Sequence, residues 1–256
     1  MKLGKTAIIC GTGAVEHSWI PILNVVRPFC KFHPPTIDSA NSFFATIVYH
    51  LRTAAQINDE DALKTLLSFY SEVKASLSKE IGNSLAKSEI TIRGEFIELT
   101  QLISRFASSY YSVTTNWDTA IDELFEETTH LHGVYSNPNA LYLPTETIRE
   151  PYRPDDEHDL FIDSHIAVGK AMIEAESLFI FGLAYSPLDA ELSAVFSECF
   201  NGPCIQNIIV IDPDYDAVIK RLQFTFRAPN NNANLIGVHP AGICKLEKLL
   251  SHSASY

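Results

Sequence analysis

Within residues 110–133, which read YYSVTTNWDTAIDELFEETTHLHG, three polar side chains of complementary chemistry stand close together: Asn116, Asp118 and His132. A neutral amide can hold a water molecule or a sugar hydroxyl in place. An imidazole, whose unperturbed pKa lies near neutrality, can take a proton from either. A carboxylate between them can orient both. Asn116 and His132 lie 16 residues apart, and a short helix over 119–127 returns the chain to the edge it left. The set reads as the reaction centre of an enzyme that cleaves a nucleotide. Each member also has a structural alternative. Asn116 or Asp118 would serve as the cap of that helix, and His132 as a hydrogen-bonded interior histidine.

Such a centre needs a frame. Residues 6–10, 110–114, 178–181, 207–211 and 235–238 are short apolar runs of strand length, and 140–143 reads as a further short strand. Helical spacing of apolar residues marks 39–55, 59–79 and 94–108, then 160–174, 187–200, 214–222 and 241–252. Strands alternating with helices predict an α/β, Rossmann-like, mainly parallel sheet with helices on both faces. Residues 31–108 read as a helical insertion between the first two strands, and the whole of 1–256 as one domain. The Pro-rich, charged stretch 144–159 reads as a loop, either a lid or an inert surface segment.

In a sheet of this kind ligands bind beyond the carboxyl ends of the strands. There the sequence places Gly11, Thr12, Gly13 and Ala14, then Asn116 with Asp118, His132 with Gly133, Gly182, and Asp212. Glycines let backbone approach phosphates, and an acidic residue after a strand accepts ribose hydroxyls. Singly, Gly-x-Gly without a third glycine is a plain strand-to-helix turn, and Asp212-Pro213 a common turn opener. Five such corners at five strand ends point to a dinucleotide site.

Composition narrows the rest. A hydrophobic content of 46% supports a buried core, and no apolar run approaches the ~20 residues of a membrane span. The N-terminal apolar stretch is too short for a signal peptide, so a cytosolic protein is expected. A formal charge of −12 argues against direct binding of nucleic acid or an anionic membrane. Residues 117–160 hold 11 acidic side chains against Arg149 and Arg153, which reads as a solvated acidic face or a docking surface for a basic partner. The five cysteines follow no pairing suited to disulfides or to tetrahedral zinc, so no bound metal is expected.

Taken in order, these corners resemble the sirtuin-like family of NAD-consuming enzymes. Thr-Thr-Asn116-Trp-Asp118 resembles the family's T-x-N-x-D corner, and Leu131-His132-Gly133 its catalytic H-G. Gly182 with Ser186 and Asp189 resembles a G-x-S-x-x-D segment of the bacterial branch, and Ile211-Asp212-Pro213 its ribose-binding strand end. The resemblance runs from Gly11 to about Gly242. Val15 stands where the family has serine, and Trp19 where it has glycine. No cysteine occurs between Gly133 and Phe181, where sirtuin deacylases carry a four-cysteine zinc module. The resemblance therefore implies the zinc-free branch and hydrolysis of NAD⁺ to nicotinamide and ADP-ribose, an activity known from bacterial antiphage defence. It implies Asn116 and His132 as reacting groups with Asp118 orienting them. Gly11, Thr12, Gly13, Ala14, Gly182, Ser186 and Asp212 would bind NAD. Control by a regulatory partner or by homo-oligomer assembly is expected of a cytosolic NADase. A binding module that senses NAD or ADP-ribose, or scaffolds a complex, is the alternative.

Overall fold

The computed structural model describes residues 3–57, 60–147, 149–185, 190–223 and 233–253. Among these, six strands form one sheet: β1 (Gly4–Cys10), β2 (Ala107–Thr114), β3 (Thr128–His130), β4 (Ser177–Phe181), β5 (Asn207–Ile211) and β6 (Asn234–Val238). Every neighbouring pair is parallel, in the order β3-β2-β1-β4-β5-β6. This is the doubly wound, Rossmann-like order, and its direction reverses between β1 and β4. Eight α-helices accompany it: α1 (Trp19–Val26), α2 (Ile37–Ala54), α3 (Glu60–Ala86), α4 (Gly94–Phe106), α5 (Asp155–Glu174), α6 (Ala190–Phe200), α7 (Tyr215–Leu222) and α8 (Ile243–Ser253). No helix among the described residues is long and apolar enough to cross a membrane.

Alternating side chains of one strand feed opposite cores, because successive residues point to opposite faces. Ala7 and Ile9 of β1, with Leu178 and Ile180 of β4, pack against Met172 of α5, Phe196 of α6 and Val218 of α7. Ile8 and Cys10, with Phe179 and Phe181, pack against Phe96 and Leu99 of α4 and Leu246 of α8. A strand covered on both faces is apolar through most of its length. That is why β4 reads Leu-Phe-Ile-Phe after Ser177 and β5 Ile-Ile-Val-Ile after Asn207.

The excursion between β1 and β2 has two parts. α4 lies in the same core as the sheet and is one of its covering helices. α1, α2 and α3 instead pack around Ile22, Phe44 and Leu85, together with Trp117, Leu141 and Leu143 from beyond the lobe, and around Ile47, Leu51 and Leu77. A two-residue antiparallel pair, Val15–Glu16 with Thr91–Ile92, closes the neck where this lobe leaves the sheet and returns. α2 starts on a capping box in which Thr36 and Ser39 satisfy each other's backbone N–H groups. The residue expected to start α3, Asp59, lies outside the described residues.

Two local expectations are corrected. Residues 119–127 form no α-helix: they hold only a 3₁₀ turn, Ala120–Leu124, before β3 begins at Thr128. Residues 140–143 form no strand. A 3₁₀ turn, Pro138–Ala140, precedes them, and Tyr142 N donates to the His132 carbonyl at 3.0 Å without joining a ladder.

The charged stretch after Leu143 runs partly through the interior. Glu146 is fully buried, paired with Lys74 of α3 at 2.7 Å and with Arg153 at 2.6 Å. Tyr152 Oη and Leu143 N donate to the same carboxylate, each at 2.7 Å. Glu150, also buried, accepts from Arg52 of α2 at 2.8 Å and from Thr147 N at 2.6 Å. Arg153 donates to the Leu141 carbonyl and lies 4.9 Å from the ring centres of both Tyr142 and Phe161. Residues 141–147 and 149–154 are thus a strap tied to the helical lobe. The solvated acidic face expected of this region loses Glu146 and Glu150 to the interior.

Burial alone would raise the Glu146 carboxyl, but the Lys74 and Arg153 charges hold it below the usual carboxylate range. Its stabilising contribution is therefore complete above the unfolded value of ~4.3 and disappears as pH falls through the lower folded value. Glu146→Gln leaves two buried cations without their anion, at a cost of ~3–5 kcal/mol. At neutral pH the melting temperature should fall by about 10 °C. The gap between variant and wild type should close below pH ~4, as thermal denaturation across a pH series will read.

Candidate functional site

A cavity of about 250 Å³ opens beyond the carboxyl ends of β3, β2, β1 and β4, at the point where strand order reverses. Its size is close to the lower end of the ~300–1,000 Å³ typical of ligand pockets. Thr12, Asn116, Asp118, His132 and Gly182 all line it. Four strand ends therefore converge on one space.

The corner after β2 is held by backbone bonds. Thr114 Oγ1 donates to the Cys10 carbonyl at 3.3 Å and accepts from Asn116 N at 3.1 Å. Thr115 N donates to the same Cys10 carbonyl at 3.1 Å, and Tyr135 N to the Trp117 carbonyl at 2.8 Å. The Asn116 side chain is different. The residue is 2% exposed, and both its Oδ1 and Nδ2 lack any hydrogen-bond partner. A buried amide left unpaired costs ~1–3 kcal/mol. The indole Nε1 of Trp117, on the same wall, is also unpaired.

Asp118 Oδ1 accepts from Ala120 N at 3.1 Å, two residues on, while the N-cap of the 3₁₀ turn is Thr119. Burial pushes its carboxyl above the usual range, and that N–H only partly offsets the shift. His132 follows β3, and its ring lies tilted against Tyr142 at 6.3 Å. Asn116, Asp118 and His132 thus share one enclosure.

The glycine turn after β1 serves a purpose beyond the one read from sequence. Gly11 N donates to the Phe181 carbonyl at 3.0 Å, Gly13 N to the Gly182 carbonyl at 2.9 Å, and Ala14 N to Gly11 at 3.0 Å. A Cβ on Gly13 would stand 2.4 Å from the Gly182 Cα, and Gly182 itself has φ +55°. These glycines let the β1 and β4 loops touch, and the N–H groups of Gly11, Gly13 and Ala14 are already engaged. Of the residues expected to bind cofactor, Thr12 and Gly182 line the cavity, while Gly11, Gly13 and Ala14 stand behind its wall. Asp212 follows β5 and does not line the cavity; its Oδ1 accepts from Asp214 N at 2.8 Å. Ser186 lies outside the described residues.

Several participants were not read from sequence. Ile22, Ile37, Asn41 and Leu85 of the helical lobe close the cavity opposite the strand ends, beside Trp19. No linear pattern announces this, since the lobe's polar and apolar residues keep ordinary helical spacing. His130, two residues before His132, faces the Asn116 carbonyl and Asp122. No group of three or more His, Cys, Asp or Glu among the described residues is arranged to hold a metal ion. Burial pushes the thiols of Cys10 and Cys199 up to about 12, so both are inert core residues.

No protein-family model matches the chain, and no curated protein matches it.

Because folding raises the Asp118 carboxyl, its ionised form opposes folding above the unfolded value of ~3.9, and that penalty vanishes below it. Asp118→Asn keeps the acceptor for Ala120 N and removes the charge. The variant should melt higher than wild type at neutral pH, with the difference disappearing below pH ~4. A melting series from pH 3 to 8 checks this.

Proposed function

We propose that the protein is an NAD⁺ hydrolase that breaks the bond between nicotinamide and ribose. One observation carries the reading: a buried, unpaired asparagine amide in the cavity that also holds His132 and Asp118. Folded proteins rarely leave such a group without a partner, and a substrate would supply one.

Nicotinamide in NAD⁺ is a cationic leaving group, so cleavage needs no general acid, unlike hydrolysis of ordinary glycosides. The C1′–N bond breaks, its electron pair goes to the ring nitrogen, and neutral nicotinamide departs. A water oxygen bonds to C1′ of the oxocarbenium-like centre and gives its proton to His132. Asn116 holds that water or the ribose hydroxyls, and Asp118 orients the pair. The products are nicotinamide and ADP-ribose. The enclosed volume suits the nicotinamide-ribose half. The phosphates lie toward the mouth beside Thr12 and Gly182, since the Gly11, Gly13 and Ala14 N–H groups are engaged. In bacterial antiphage defence such an activity is held dormant until a partner or a change of assembly releases it, and the same control is proposed here.

A second reading, a module that binds NAD or ADP-ribose without cleaving it, is favoured by Trp19. This indole lines the cavity where the resembling family has glycine. Val15, the other departure, is buried in the sheet core and does not line the cavity, so Trp19 alone separates the two readings.

Release of nicotinamide from NAD⁺ by the pure protein, over a range of concentrations and with candidate activators, is the direct test. Asn116→Ala and His132→Ala should each lower turnover by ~10²–10⁴-fold. The double variant should be little worse than either alone, because the two act as a unit. Asn116→Ala should melt no lower than wild type, since it removes an unpaired amide. Binding without cleavage under every condition, with cleavage gained by Trp19→Ala, would establish the second reading.

A further inference from the structure

Asn116 combines a fixed backbone with an uncommitted side chain, and His130 completes the fixing. This residue ends β3 opposite Thr114 of β2, and its ring is largely buried. Its Nδ1 lies 3.0 Å from the Asn116 carbonyl oxygen. A carbonyl can only accept, so Nδ1 carries the proton and donates. On the other side Nε2 lies 3.0 and 3.3 Å from the two carboxylate oxygens of Asp122, in the 3₁₀ turn. Both partners can only accept, so the two bonds are made together when both ring nitrogens carry protons, and together they hold the imidazole in a single orientation.

The chain of contacts is continuous. The Cys10 carbonyl accepts from Thr114 Oγ1, which accepts from Asn116 N; the Asn116 carbonyl accepts from His130, whose far edge rests on Asp122. Asn116 is therefore gripped at its N–H by β2 and at its carbonyl by β3. Its amide is aimed by backbone geometry alone, since no bond holds the amide itself.

We infer that His130, braced by Asp122, is the positioning residue of the reaction centre: it sets the aim of the Asn116 amide through the Asn116 carbonyl, without touching substrate. The inference rests on the hydrolase reading for its kinetic consequence and on geometry alone for its structural one. It also accounts for two histidines in the His-Leu-His segment with separate duties, His132 lining the cavity and His130 bracing its wall.

Two substitutions separate the two edges of the ring. In His130→Asn the amide nitrogen takes the place of Nδ1 and keeps the donor to the Asn116 carbonyl while losing Asp122. In His130→Gln the longer amide takes the place of Nε2, keeping Asp122 and losing the carbonyl. A group that only stabilises the fold makes activity follow melting temperature in both. A positioning group makes them diverge. Nicotinamide release should retain its kcat within about threefold in His130→Asn and fall ~10²-fold in His130→Gln with KM unchanged, the cost of an ångström-scale misplacement of a reacting group.

A second measurement needs no turnover. The side-chain NH₂ resonances of Asn116 in isotope-labelled protein should form one sharp pair in wild type and His130→Asn, and broaden or double in His130→Gln. If the Asn116 resonances are the same in all three proteins, or kcat falls equally in both variants, the positioning role is overturned. If the resonances diverge as expected while wild type never releases nicotinamide, the positioning role stands and the hydrolase reading fails.

Discussion

A single buried carboxylate, Glu146, joins the helical lobe to the strap that follows Leu143. It takes Lys74 from α3, Arg153 and Tyr152 from the strap, and the backbone N–H of Leu143. The same strap carries Tyr142 and Pro144, which form one side of the cavity. Ion pairs buried this deeply gain little net stability over a hydrophobic replacement, because both charges lose their water. Directional bonds nevertheless admit one arrangement where apolar contacts admit several. Here that arrangement fixes the strap against the lobe and the cavity wall with it.

The candidate site is built on the opposite principle. Around Asn116 the backbone bonds are satisfied and the side-chain amide is left without a partner. Asp118 is likewise kept in a place that disfavours its charge. Groups that fold at a loss are tolerated where a ligand later completes them. The molecule thus places its unsatisfied chemistry beside its most firmly bonded backbone.

Much of the frame was legible in the sequence because the sheet's periodicity is unambiguous. The runs 178–181 and 208–211 are apolar at every position, as strands covered on both faces require. Asn116 and His132 were legible as strand-end polar groups for the same reason. The segment after Thr119 was misjudged because its composition suits either helix type, and the parallel strand β3, which begins at Thr128 and pairs with β2, was not read from the sequence. The strap was misjudged because its acidic residues find their cations far away, Lys74 and Arg52 lying some 70 to 100 positions earlier. The glycine turn was read for phosphate. Its contact with Gly182 spans about 170 residues and leaves no local trace. Charge partners and close backbone approaches across such separations are properties of the folded state alone.

The antiparallel neck of Val15–Glu16 and Thr91–Ile92 gives the molecule a division of labour. The two ends of the lobe that it delimits leave and rejoin the sheet side by side, so changes in its helices need not alter the order of the strands. The lobe still touches the corner that carries Asn116, because Phe44 of α2 packs edge-on against Trp117. Ile22, Asn41 and Leu85 of the same lobe line the cavity beside Asn116. What the cavity admits is therefore written largely in a stretch of chain that can be remodelled while the sheet beneath it is inherited unchanged.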